Sequence, residues 1–203
     1  MNYVDQKFFY IQNILKNQSI AKKILDFGCR NQILKRFIPG HFLYTGVDII
    51  QNDNSDNILM DLNKKILFDD NSYDYVFSLD IMEHVNDPIH LLKESYRICN
   101  EKIFIVLPNI AYYEKRISFL LKGNLGNKYH FSGNEFDDRH KWFTNYFLIC
   151  EFFKKNASNY TIHSIPKTRN KLKFIMYFEK LLSKLMPNIF SWSFLIVINK
   201  IKI

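Results

Sequence analysis

Three aspartates, Asp26, Asp48 and Asp61, lie at the ends of short apolar runs of the sequence. Gly28 follows Asp26 closely and precedes Asp48 by 20 residues. An acid at about this distance after a glycine turn is placed to accept hydrogen bonds from ribose hydroxyls, and glycine lets a ligand approach the backbone. A carboxylate-rich crevice suits a ligand with positive charge better than a pyrophosphate. These residues therefore favour a sulfonium nucleoside over a nicotinamide dinucleotide.

Apolar runs that alternate with helical patterns predict an α/β fold with a doubly wound sheet. Strands are predicted over 24–27, 42–47, 58–60, 73–79, 103–107, 160–165 and 194–199, and helices over 4–16, 32–37, 88–99, 144–155 and 171–186. Asp87 followed by Pro88 is typical of a helix N-cap, and Thr144 is the predicted N-cap of a later helix. Because strand ends form the ligand crevice of such a sheet, we expect the three aspartates to meet there.

The positive charge of the chain is concentrated near its C-terminus. The net charge is +8, and residues 167–203 hold eight Lys or Arg and one acid, or +7. Lysines beside a broad apolar arc over 171–186 are typical of a helix that lies on an anionic membrane, or of a helix that covers the sheet. We expect peripheral contact with an anionic membrane through residues 167–188. No nucleic-acid partner is expected, since no recognised nucleic-acid module accompanies the charge.

The expected location is cytoplasmic. No apolar run approaches the length that spans a bilayer, and the N-terminus lacks the layout of a signal peptide. The three cysteines show no disulfide or metal spacing, which is typical of reduced thiols. Contact with the inner membrane surface would then be peripheral.

The order of several short motifs carries a family resemblance. In sequence order they are Ile24–Cys29, Gly46–Asp48, Asp61–Leu62, Phe68–Val76, Glu83–Pro88, Leu107–Asn109, Asp138–His140 and Pro187–Phe190. Together they resemble the class I S-adenosylmethionine-dependent methyltransferases, and within them the small-molecule branch that includes quinone-biosynthesis and envelope-sugar enzymes. The likeness covers about residues 20–200. It implies a Rossmann-like, seven-stranded, mostly parallel sheet whose last strand runs antiparallel between strands five and six.

The resemblance implies S-adenosylmethionine as cofactor and assigns its site residue by residue. The expected cofactor residues are Asp26, Gly28, Cys29, Arg30, Asp48, Asp61, Leu62, Ser78, Leu79 and Asp80. Asp26 would anchor the first loop and the ammonium group, Asp48 would bind the ribose hydroxyls, and Asp61 would face the adenine amino group. The last three residues would border the sulfonium and the substrate entrance.

Two histidines are the expected catalytic residues. His140 is the first candidate base and His84 the second, and a base helps where the acceptor is a hydroxyl or a protonated amine. The alternative for His140 is a structural histidine that hydrogen-bonds a loop. Asp80, Glu83 and His84 also match a cluster that binds a divalent metal in some family members, with His90 or His140 as a remaining ligand. Loop packing explains this cluster better, so no metal is predicted.

One departure from the family pattern leaves the function open. Arg30 and Gln32 stand where the first loop of the family usually has glycines. A Cβ at residue 30 would crowd the cofactor, or the Arg30 guanidinium would pair with the methionine carboxylate. The alternatives to an enzyme are a non-catalytic binding protein with a degenerate methyltransferase fold and a peripheral membrane adaptor. A nicotinamide-dependent oxidoreductase is disfavoured, because G-x-G-x-x-G is missing.

The expected organisation is one methyltransferase domain over residues 1–203. Within it we expect an N-terminal helix in 1–20, a substrate-side insertion at 109–141 and the basic amphipathic segment at 167–188. The expected acceptor of the methyl group is a small molecule or a lipid- or sugar-linked group.

Overall fold

The computed structural model describes residues 6–51, 56–129, 139–167 and 173–200. Of residues 127 and 173–176, only the backbone is described. The strands are β1 (Lys23–Phe27), β2 (Leu43–Asp48), β3 (Ile58–Leu59), β4 (Tyr73–Leu79), β5 (Cys99–Pro108), β6 (Tyr160–Ile165) and β7 (Ser193–Asn199). The α-helices are α1 (Gln6–Leu15), α2 (Pro88–Ile98), α3 (Tyr113–Lys122), α4 (Tyr146–Asn156), α5 (Lys173–Leu185) and α6 (Pro187–Phe190). None of the helices within these ranges is long and apolar enough to cross a membrane.

The seven strands form one sheet in the order β3-β2-β1-β4-β5-β7-β6. Strands β1 to β5 pair in parallel, whereas β7 runs antiparallel to both β5 and β6. The predicted doubly wound sheet with an antiparallel last strand inserted between the fifth and sixth strands is therefore confirmed. The strand order reverses between β1 and β4, and ligands of such sheets bind outside the carboxyl ends of the strands at this point.

Apolar side chains alternate between the two faces of the sheet, so each face has its own core. Val76 of β4 packs into one core with α2 and α4, while Tyr75 and Phe77 pack into the other core with α1. The α1 residues in this second core are Phe8, Ile11 and Leu15. Because α1 is fixed on this face, its first turn reaches the carboxyl edge of the sheet.

The N-terminus of α2 has the predicted cap. The Asp87 carboxylate accepts hydrogen bonds from the backbone N–H groups of Ile89 and His90 at 2.8 and 3.0 Å, and Pro88 occupies the first turn. This arrangement satisfies two of the N–H groups that every helix leaves without an intrahelical partner.

The predicted N-cap of α4 is wrong by one residue. The Thr144 hydroxyl donates to the Pro108 carbonyl at 2.6 Å, and the Asn145 side chain accepts from the Leu148 N–H at 3.1 Å. Thr144 therefore joins the end of β5 to the start of α4, while Asn145 caps the helix.

Two other predicted elements differ from the structure. Strand β5 begins at Cys99 rather than at residue 103, since Cys99 pairs with Tyr73 across an irregular step in the β4–β5 register. Residues 100–102 are polar, so the apolar pattern of the sequence does not include the start of this strand. The predicted helix at 32–37 is a single 3₁₀ turn, Ile33–Arg36. The helix predicted from residue 171 begins at Lys173 within the described range, and residues 171–172 lie outside it.

Candidate functional site

A cavity of about 950 Å³ opens at the carboxyl ends of the strands. The predicted cofactor residues that line it are Asp26, Gly28, Cys29, Arg30, Asp48, Asp61, Leu62, Leu79 and Asp80. The remaining predicted residue, Ser78, is fully buried within β4 and does not line the cavity. The volume is that of a typical small-molecule site, and the strand-end aspartates meet in it as the sequence predicts.

The Asp48 carboxylate joins two loops of the cavity. One oxygen accepts from the Arg30 N–H at 2.8 Å in the loop after β1, and the other accepts from the Ile50 N–H at 3.1 Å in the loop after β2. A carboxylate offers about four acceptor positions, and these two bonds use half of them. The buried Asp48 can therefore hold both loops and still accept hydrogen bonds from ligand hydroxyls.

The Asp26 carboxylate is held by a residue that the sequence analysis missed. The Tyr44 hydroxyl donates to it at 2.7 Å. Burial raises the pKa of Asp26 to about 7, against the smaller lowering effects of the Tyr44 bond and the charge of Lys7. The register places Asp26 beside Gly46, on the same face as Tyr44. A Cβ at Gly46 would lie 2.8 Å from the Cys29 sulfur and 3.2 Å from the Tyr44 ring, so glycine leaves the space that both occupy.

The loop after β1 keeps a left-handed path at residues that are not glycine. The φ angle is +70° at Gly28, +43° at Arg30 and +53° at Gln32. For residues with a Cβ this conformation costs about 1–2 kcal/mol each. Arg30 is nevertheless exposed, and its N–H points to Asp48. Arg30 and Gln32 therefore adopt the left-handed conformation that glycine takes most readily.

The thiol of Cys29 lies in the same cavity wall and is almost fully buried. Burial, together with the negative charges of Asp26 and Asp48, raises its pKa to about 12.

A second group of ionisable side chains reaches the cavity through His84. Glu83, His84 and His140 each offer a ligand atom, and these atoms lie within 4.8 Å of one another. His84 lines the cavity, and the His140 ring lies behind it in an edge-to-face contact with 4.7 Å between centroids. The structure therefore brings the two predicted catalytic histidines together, and it places His84 nearer to a ligand.

Hydrogen bonds define which ring atom of each histidine is basic. The Arg139 carbonyl lies 2.9 Å from Nδ1 of His84; because a carbonyl only accepts, Nδ1 carries the proton and Nε2 is the basic atom. The Tyr129 hydroxyl lies 2.8 Å from Nδ1 of His140. Burial raises the pKa of Tyr129, so its hydroxyl keeps the proton that it donates. Tyr129 is a second residue that sequence reasoning did not assign to the site.

The buried Glu83 carboxyl has no hydrogen-bond partner for either oxygen among the described residues. Nε2 of His140 lies 3.9 Å from its Oε1. Burial, reinforced by the charge of Asp80, raises the pKa of Glu83 to about 8. A carboxyl beside two imidazoles could hold a divalent cation or take part in proton transfer.

The sequence cluster of Asp80, Glu83 and His84 differs from the group that the structure assembles. Asp80 forms an ion pair with Lys7 of α1, and His90 lies 3.3 Å from the Lys64 carbonyl. His140 takes the place of Asp80 in the group, because the backbone N–H groups of Lys141 and Trp142 bind the Glu83 carbonyl at 2.8 and 3.3 Å. Lys7 and the neighbouring α1 residues Gln6 and Phe8 complete the cavity wall and were not predicted.

The fold and the site together define a class I methyltransferase. A methyltransferase domain model matches residues 8–150, and the chain belongs to this family. A crystal structure of a SAM-dependent methyltransferase from Archaeoglobus fulgidus has 14% identity and a TM-score of 0.57, covering 97% of this chain and 98% of the other. One from Mesorhizobium loti has 11% identity and a TM-score of 0.60, covering 98% and 100%. Among curated proteins, no sequence matches this chain significantly.

The cofactor is S-adenosylmethionine, and the donor set of the cavity fits it. Asp48 has acceptor positions for two ribose hydroxyls, and Asp26 is a buried carboxyl suited to an ammonium group. The Asp61 carboxylate accepts one hydrogen bond from the backbone N–H of Asn63 and one from its side-chain amide, both at 2.9 Å, and these bonds lower the pKa of Asp61. At this edge the described residues therefore offer carboxylates for the ribose and the ammonium group of the cofactor.

The first prediction concerns the pH dependence of cofactor binding. Asp26 loses its negative charge as the pH falls through about 7, so the affinity for the ammonium-bearing product S-adenosylhomocysteine should fall by up to about tenfold per pH unit below 7. Tyr44→Phe removes a bond that lowers the pKa of Asp26, so the fall should begin at higher pH. Calorimetric titration between pH 8 and pH 6 measures both effects. The same pH dependence in Asp26→Asn would contradict the assignment.

The second prediction concerns the loop after β1. Arg30→Gly removes a Cβ from a left-handed residue and should raise stability by up to about 1 kcal/mol, or a few degrees in Tm. Arg30→Ala keeps the Cβ and loses the guanidinium, so it is the matched control and should show no gain. Thermal unfolding measures both. If S-adenosylhomocysteine binds only to Arg30→Gly, the native chain is a degenerate binding protein rather than an enzyme.

Proposed function

We propose that this protein transfers a methyl group from S-adenosylmethionine to a hydroxyl of a small-molecule or lipid- or sugar-linked acceptor. The observation that carries the proposal is the arrangement of the cavity. His84, with Glu83 and His140 beside it, lines the same cavity as the strand-end carboxylates. A base beside the acceptor is needed for a hydroxyl, which loses a proton when it is methylated.

The cofactor supplies an electrophilic methyl group and a neutral leaving group. The chain has to hold the acceptor in line with that methyl group and keep water out. Nε2 of His84 would take the acceptor proton, since Nδ1 of the same ring is held by the Arg139 carbonyl. Glu83 in its ionised form would stabilise the positive charge that His84 then carries, because the ligand atoms of the two lie within 4.8 Å. The Lys7–Asp80 ion pair joins α1 to the residue that follows β4, and both side chains line the cavity.

Binding of S-adenosylhomocysteine is the experiment that tests the proposed cofactor site. Micromolar affinity, about −8 kcal/mol, is expected for the wild-type chain. Asp48→Ala removes both the ribose acceptor and the tie between the two loops, so affinity should fall about 100-fold or more. Asp56→Ala, at an exposed carboxylate near the same loop, is the matched control and should bind like wild type. If the well-folded wild-type chain does not bind S-adenosylhomocysteine, the proposal that it is a methyltransferase is wrong.

The role of the histidines is tested by steady-state kinetics with a panel of hydroxylated, lipid-linked and sugar-linked acceptors. His84→Asn should lower kcat by about 10²–10⁴-fold, the usual contribution of a general base, without weakening cofactor binding. His41→Asn, at an exposed histidine, should be silent. Activity that disappears with EDTA and returns with Mn²⁺ would instead assign Glu83, His84 and His140 to a divalent cation.

A further inference from the structure

Helix α3 presents its apolar side chains to solvent. None of its side chains is buried. Leu120 and Leu121 are 83% and 73% exposed, and Ile117 and Phe119 are more than half exposed. Large apolar groups clustered in this way mark an interaction surface, because a soluble chain rarely exposes them together.

Helix α5 and the residue that follows it expose a second apolar set. Its members are Tyr177, Phe178, Leu181, Leu185 and Met186. Leu185 is 69% exposed, so the helix leaves much of its apolar surface unused by the sheet.

Residues that flank α5 contact the start of α3. Lys167, which precedes α5, forms an ion pair with Glu114 in the first turn of α3, at 2.6 Å. The Tyr113 ring of α3 lies 5.8 Å from the ring of Phe190 in α6, and α6 follows α5 after one residue. Both helices therefore belong to the same side of the molecule, where β5 ends and the cavity opens.

The exposed charges of these helices all have one sign. On the described side chains of α3 and α5, the exposed charged residues are Arg116, Lys122, Lys180 and Lys184. The acids Glu114 and Glu179 are partly buried, and Glu114 is neutralised by Lys167. Cations interspersed with exposed leucines and aromatic rings complement an anionic, partly apolar partner.

We propose that α3 and α5 together form a docking surface for an anionic lipid bilayer, beside the opening of the cavity. Lysines and arginines would meet the lipid head groups, and the leucines and aromatic rings would enter the boundary of the acyl chains. A second copy of this chain fits less well. A two-fold interface would place the same surface against itself and oppose the four cations. The sequence pattern of residues 167–188 indicated α5 alone, and the exposure of α3 extends the surface.

Co-sedimentation with vesicles tests this surface independently of methyl transfer. The wild type should bind vesicles of phosphatidylcholine mixed with phosphatidylglycerol, and it should bind phosphatidylcholine alone about tenfold more weakly. Added salt should weaken binding to the anionic vesicles, because it screens the cations. No sedimentation with anionic vesicles at low salt would overturn the proposal.

Paired variants test each helix. Leu120→Ser with Leu121→Ser on α3, and Leu181→Ser with Leu185→Ser on α5, should each lower partition by about tenfold or more. Lys180→Glu with Lys184→Glu should do so for anionic vesicles only. The matched control is Ile20→Ser with Leu67→Ser, which changes two residues outside any helix that are 68% and 77% exposed. It should leave partition unchanged.

Two readouts keep these variants interpretable. Each variant should retain the wild-type circular dichroism spectrum and its affinity for S-adenosylhomocysteine, which shows that the sheet and the cavity are intact. If the α3 variant binds vesicles as well as the wild type does, α3 does not belong to the docking surface. If analytical ultracentrifugation shows a dimer that the α3 variant dissociates, and vesicles do not bind, the surface joins two copies of the chain and the proposal is wrong.

Discussion

The end of β2 fixes the shape of the loop after β1, and the cofactor end of the cavity depends on this attachment. The Val47 carbonyl accepts the N–H groups of Gly28 and Cys29 at 2.9 and 3.1 Å, and the Asp48 carboxylate accepts the next N–H, that of Arg30. Three successive backbone donors therefore bind one strand end. The left-handed residues of the loop follow from this constraint, because the chain must curl around β2. The hydrogen bonds offset the strain that glycine would have avoided.

The sequence predicts the sheet well because its strands are buried runs with short connections. Asp87 and Pro88 locate the start of α2, since capping depends on neighbouring residues alone. Cys99 and Thr144 show where such reasoning stops. The start of β5 is polar and is defined by pairing with β4, and the Thr144 hydroxyl is taken by the Pro108 carbonyl. Both outcomes depend on partners that are distant in the sequence.

The same limit applies to the site. Asp26 and Asp48 were found because a strand end carries a local pattern, and nine of the ten predicted cofactor residues line the cavity. The pairing of β1 with β2 could have revealed Tyr44, because Gly46 leaves room for the Tyr44 ring beside Asp26. The sequence could not have revealed the parts played by Lys7 and Tyr129, or the contact of His140 with Glu83. They depend on how α1 and the segment after residue 138 return to the sheet, and no spacing in the sequence encodes that return.

An enzyme that holds an electrophilic methyl donor exposes its own nucleophiles to it, and Cys29 lies in the wall of this cavity. A thiol is a weak nucleophile and a thiolate is a strong one. With a pKa of about 12, only about one Cys29 in 10⁵ is ionised at pH 7. Burial first, and then the negative charges of Asp26 and Asp48, keep this cysteine protonated, so the wall of the cavity also disfavours self-methylation.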